Sequence, residues 1–136
     1  LAALAGLVAG STAAAQGAPP RIEGKWLTDD GTAVVVIGRC GDTVCGAIGK
    51  VLDRDKNIPT VDIENPDARL RGRPLVGLTV LSGFRPDGAI WRGGRAYDPK
   101  TGRSYRSSLA LDGEQRLVVT GCVLFICRSM VWQRLS

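Results

Sequence analysis

A rhythm restricts the fold of this chain more than any single motif. Beyond residue 20, eight runs of seven or nine residues alternate with turn chemistry: IEGKWLT, TAVVVIG, CGAIGKV, VGLTVLS, AIWRGGRAY, RSYRSSLAL, QRLVVTGCV and SMVWQRL. They are rich in β-branched and aromatic residues, as strands are. The corners have a physical rationale. Asp-Gly in TDDGT and LDGEQ supplies the positive φ that tight hairpin turns need. Pro86 and Gly88 in RPDG fit a type I turn, and DPKTG fits a type I turn followed by a left-handed glycine. Eight short strands at this spacing predict an all-β antiparallel barrel or sandwich. One stretch, Asp53 to Leu75, is too long and polar for a hairpin. Long ordered connections tend to be functional, so it is expected to form a lid across one mouth. It should carry the one short helix, with Asn65 as cap, Pro66 in the first turn and Gly72 as stop.

The N-terminal residues do not share this pattern. Leu1 to Gly10 is an apolar run, followed by small residues with Ala13 and Ala15 before Gln16. This reads as a secretory signal peptide over residues 1–15, truncated at its start, with 16–21 as linker and 22–136 as the folded domain. A run of about ten apolar residues is too short for a bilayer that needs about twenty. No later stretch qualifies, so the mature protein is expected to be periplasmic or secreted, without an integral membrane segment.

That compartment bears on the four cysteines, Cys40, Cys45, Cys122 and Cys127, which form two C-x4-C pairs. An oxidising environment favours disulfides. The competing zinc site lacks any histidine, and a thioredoxin-type redox pair would need C-x-x-C. Three disulfide connectivities remain open. Each local bridge would close a corner and stabilise by roughly 2 kcal/mol, whereas bridges across the chain would close far longer loops.

The missing residue types exclude much chemistry. Without histidine there is no Ser-His-Asp or Cys-His nucleophile and no histidine metal site. No phosphate-cradling Gly-rich loop precedes a helix. The carboxylate pairs Asp29/Asp30, Asp53/Asp55 and Asp62/Glu64 fall in turns, where Asp usually serves backbone geometry. The expected protein is non-enzymatic, with no cofactor and no metal. Its net charge is +5. An exported chain without a nucleic-acid-binding motif does not predict a nucleic-acid partner.

Gly24-Lys25-Trp26 near the start and Trp132-Gln133-Arg134 near the end resemble lipocalin and fatty-acid-binding barrels. In those barrels the Trp closes one end and the Arg packs over it, which implies structural roles for Gly24, Trp26, Trp132 and Arg134. A longer resemblance, from Gly24 to Arg134, is to the DUF2147 family of exported bacterial proteins, with a lipocalin-like barrel and no established activity. GKWLTDDG, CGDTVCGAI, NPDARLRGRPLVGL, the segment Trp91 to Tyr105 and GCVLFICRSMVWQR carry it. The family reads closer to Ile at Ala96 and closer to Gln-Thr at Met130-Val131, and an inward-facing Ala96 would enlarge the lumen.

The resemblance implies a lipocalin-like barrel, which with the eight runs and the long polar stretch gives an eight-stranded barrel with one long lid loop, and it assigns no catalytic residues. Strand alternation puts Trp91, Gly93, Arg95 and Tyr97 on one face, and Tyr105, Ser107, Leu109 and Leu111 on one face of the next strand. Pointing inward, these would suit a small amphipathic or lipid-like ligand, with Arg71, Arg73 and Arg95 for an anionic head group. Alternatively the barrel is filled by its own side chains. Seven aromatics favour a small or partly filled lumen. The rival function is a cell-envelope interaction module that presents the Arg-rich lid to a protein or anionic polymer.

Overall fold

The computed structural model describes residues 21–52 and 58–136. The apolar leader and the Asp53/Asp55 pair lie outside the described residues. Eight strands follow one another: β1 (Gly24–Leu27), β2 (Ala33–Cys40), β3 (Thr43–Val51), β4 (Thr79–Asp87), β5 (Ile90–Asp98), β6 (Arg103–Leu111), β7 (Arg116–Val123) and β8 (Ile126–Arg134). Each pairs antiparallel with the next, and β1 returns to β8 through Trp26 opposite Arg134, closing the barrel. The expected eight-stranded antiparallel barrel is thus the observed one.

Closure demands bending, and bulges supply it. The ladder shifts register in β2–β3, twice in β3–β4, and in β5–β6 between Trp91 and Gly94. Such bulges add a residue to one strand, bend it and increase its twist.

In this up-and-down order the start of β1 and the end of β8 share one end of the barrel with the β2–β3, β4–β5 and β6–β7 turns. That end is filled. Ile22, Trp26, Val44, Phe84, Trp91, Leu109 and Leu117 are all buried there in one apolar cluster. Trp26 donates through Nε1 to the Ile22 carbonyl at 2.8 Å. Arg134 lies 4.3 Å from the centre of the Trp26 ring and donates to the carbonyls of Glu114, Glu23 and Arg21. One guanidinium therefore ties the segment leading into β1, the end of β8 and the β6–β7 turn together over the closing tryptophan.

Both cysteine pairs are bridged locally, Cys40–Cys45 and Cys122–Cys127, with Cα atoms 5.9 and 4.1 Å apart. The bridges brace opposite ends of the barrel, Cys40–Cys45 the closed end and Cys122–Cys127 the other.

Among the described residues of the β3–β4 connection there is only a 3-10 turn, Ala68–Leu70, where a short helix was expected. Asp67 caps it by accepting from the Arg69 amide, while Asn65 accepts from the Asp67 amide one step earlier. A polar residue at each of these positions gives the backbone local partners and so shortens the helix.

Candidate functional site

A cavity of about 480 Å³ occupies the half of the barrel opposite the Trp26 plug. Its deeper wall is apolar: Val35, Ile48, Val80, Leu81, Ala96, Val119, Met130 and Trp132, with Tyr105 beside them. The lumen is therefore partly filled, by core at one end and open at the other. Ala96 does face the cavity, and Gly121, against Tyr105, leaves further room. The Trp132 Nε1–H is buried with no hydrogen-bond partner among the described residues, an orphan donor on a wall residue. Unsatisfied buried donors are uncommon, and each calls for an explanation.

The rim is charged. Asp30 accepts from Thr28 and Thr32 and pairs with Lys100, joining the β1–β2 and β5–β6 loops. Asp98 accepts from the Lys100 amide and the Thr101 hydroxyl. On the other side, Arg103 of β6 and Arg128 of β8 flank β7, and both line the cavity. Neither guanidinium has an acidic partner among the described residues. The rim thus offers two uncommitted cations above an apolar wall.

The residues singled out in the sequence fall into three groups. Tyr97 and Tyr105 line the cavity. Trp91 does not: β5 starts at the closed end, so its first inward residue is buried in the plug, with Arg39 5.8 Å from its ring centre. Arg95 is also elsewhere, for a reason the alternation rule cannot anticipate. Trp91 pairs with Leu109 but Gly94 pairs with Ser107, so three steps on β5 match two on β6. The extra residue, Gly93 at φ 72°, reverses the parity. Gly94 and Ala96 turn inward, and Arg95 is exposed outside.

Arg71 and Arg73 are engaged within the lid itself. Arg71 Nε donates to the Asn65 carbonyl at 2.7 Å. Arg73 Nε donates to Asp62 at 3.0 Å, and its guanidinium lies 6.0 Å from the centre of the Tyr97 ring. Asp62 is fully buried and also accepts from Asn65 Nδ2 at 2.8 Å and the Tyr97 hydroxyl at 2.6 Å. Burial pushes the Asp62 pKa upward, but these three donors outweigh it and hold the carboxyl below its ordinary range. Burial and the bond to Asp62 push the Tyr97 hydroxyl up to about 12. The described part of the lid therefore leans on the β5–β6 hairpin, and none of its residues lines the cavity.

Arg103 and Arg128 were missed in the sequence, although the pattern contained them. Arg103 extends the Tyr105 face by one alternation, and Arg128 extends the Met130 and Trp132 face likewise. Among the described residues no cluster of three or more cysteine, aspartate or glutamate side chains could hold a metal ion. No described helix is long and apolar enough to cross a membrane.

Comparison with known proteins agrees with this geometry. Residues 24–134 match the family model described as "Uncharacterized protein conserved in bacteria (DUF2147)". No curated protein matches the chain. Among solved structures, it is similar to protein HP1028 from the human pathogen Helicobacter pylori, described as belonging to the lipocalin family. The TM-score is 0.75 at 22% identity, covering 85% of this chain and 84% of that one. At that identity the likeness establishes a shared fold.

Proposed function

This chain belongs to the DUF2147 family, and from that premise and its half-open barrel we propose that it is a non-enzymatic carrier of a small amphipathic or lipid-like anion. The open cavity above the plug carries the reading. Its volume lies within the roughly 300–1,000 Å³ typical of small-molecule sites, and its wall suits an acyl chain or similar apolar body. Each methylene moved from water to that wall would contribute about 0.8 kcal/mol. The head group would meet Arg103 and Arg128, whose guanidiniums suit carboxylate or phosphate geometry, and the Trp132 Nε1–H would find an acceptor on a ligand reaching the floor. Arg71 and Arg73 then hold the lid, a role their committed bonds support better than head-group recognition.

The same commitments weigh against the rival reading. A module presenting the lid's arginines needs them free, and Arg69, Arg71 and Arg73 are all engaged within the loop. An open lumen favours the carrier. Two disulfides suit an oxidising compartment, and with the leader-like first 15 residues they support a periplasmic or secreted location.

Native mass spectrometry of the protein purified gently from its host envelope tests this. Added mass that strips on denaturation and fragments as an acyl-chain compound supports the carrier. Protein that stays bare even after incubation with excess dodecanoate contradicts it.

A further inference from the structure

The hairpin joining β7 to β8 is built unlike the others. Its tip is Val123-Leu124-Phe125-Ile126, and all four are exposed, Leu124 at 75% and Phe125 at 90%. The other five hairpin turns each place a glycine in the left-handed region: Gly31, Gly41, Gly88, Gly102 and Gly113. Here the position falls to Leu124 at φ 55°. A bulky side chain there is a conformational outlier. Local geometry asks for glycine and solvent asks for a polar residue, so the turn satisfies neither demand. Strain retained at such a place points to a use.

The tip is held out firmly. Cys122 and Cys127 face each other across the ladder and are bridged directly beneath it. Arg106 Nη2 donates to the Leu124 carbonyl at 2.6 Å. The finger is thus presented preformed. Its surroundings are cationic: Arg106 beneath the turn, with Arg103 and Arg128 on the strands either side of β7. From Arg116 to Ser136 the chain contains no acidic residue.

We infer that this stapled finger inserts into the interface of a bilayer carrying anionic lipid, bringing the cavity mouth to the membrane surface. Contiguous exposed apolar residues of this kind mark interaction sites. A convex, wholly apolar tip with arginines just behind it matches the layering of an anionic leaflet, with acyl boundary beneath and phosphates above. A protein pocket specific enough to take the tip would be expected to meet polar groups as well, and the four tip side chains offer none. Val123 and Ile126 belong both to the tip and to the cavity lining, so insertion would place the mouth against lipid. Docking of this kind does not require the cavity to be occupied.

Vesicle co-sedimentation tests it, with phosphatidylcholine alone and with about one third phosphatidylglycerol. Wild-type protein should pellet with the mixed vesicles, much less with the neutral ones, and progressively less as salt rises. Phe125→Ser should weaken that binding about tenfold or more while leaving dodecanoate binding in solution unchanged, since Phe125 is outside the cavity lining. Leu124→Gly should also weaken vesicle binding without lowering thermal stability, because glycine relieves the left-handed strain. Three results would overturn the inference. They are no binding to mixed vesicles, wild-type-like binding by Phe125→Ser, and self-association of the wild type that Phe125→Ser abolishes, which would make the tip an interface between two copies.

Discussion

Asp62 shows how much one side chain can organise. A buried carboxylate is tolerable only when paired and hydrogen-bonded, and this one gathers donors from the lid and from β5. Its lowered folded-state pKa fixes the sign of the pH effect. The stabilisation is present above the ordinary carboxylate value of about 4 and is lost as pH falls through the lower folded value. For Tyr97 the raised value reverses the direction. Its contribution is complete below about 10 and is lost as pH rises through about 12. Asp62→Ala should cost about 1–3 kcal/mol at neutral pH by leaving buried donors unpaired, and much less at pH low enough to protonate the wild-type carboxyl. Denaturant melts at the two pH values check both parts. None of this network could be read from the sequence, because Asp62 and Tyr97 lie 35 residues apart and only the folded loop joins them. Gly94 is held as glycine by a close contact. A Cβ there would lie 2.4 Å from the Phe84 ring, so Gly94→Ala should destabilise by about 1–3 kcal/mol through overpacking, measured by the same melts.

Among the elements, the hairpins were legible and the bulge was not. Turn chemistry is local, so the two Asp-Gly corners marked strand ends within a residue or two of those observed, whereas the run expected to end at Ser82 continues as β4 to Asp87, into the Pro-Asp-Gly corner itself. A bulge is a relation between two strands. Nothing in Trp-Arg-Gly-Gly-Arg alone says that the extra residue falls at Gly93 and turns Arg95 outward, although paired glycines inside a strand hint at one. The cysteine spacing allowed local staples without choosing them, and the hairpins supplied the choice by bringing each pair together. Removing one staple should have a modest cost. Cys122→Ser with Cys127→Ser opens a loop of about six residues, worth roughly 2 kcal/mol in the chain-entropy model. Hydrogen exchange should then rise at the β7–β8 tip and stay unchanged at the Trp26 end, where Cys40–Cys45 remains. Uniform loosening would mean that the staple supports the whole barrel.

For the whole molecule, the barrel divides its labour along its axis. Aromatics and Arg134 seal one end, and the other is left open beneath a charged rim and an apolar finger. The sequence conveyed the sealing residues through Gly24, Trp26 and Arg134 and the likeness they carry. It could not say how far up the core would reach, because that depends on which large side chains share a level once eight strands close. Ala96, Val119 and Gly121 are what keep the upper half empty. A carrier function requires that this space take a ligand. Titration with dodecanoate, followed by the indole resonance of Trp132, tests that most directly. A carrier should show a saturable shift, abolished by Ala96→Phe, which fills the cavity. The double variant Arg103→Gln, Arg128→Gln should weaken it about tenfold, as expected for losing charge-assisted bonds worth about 1.5 kcal/mol or more, while leaving dodecanol binding unchanged. An indole resonance that never moves, or a shift indifferent to Ala96→Phe, would contradict it.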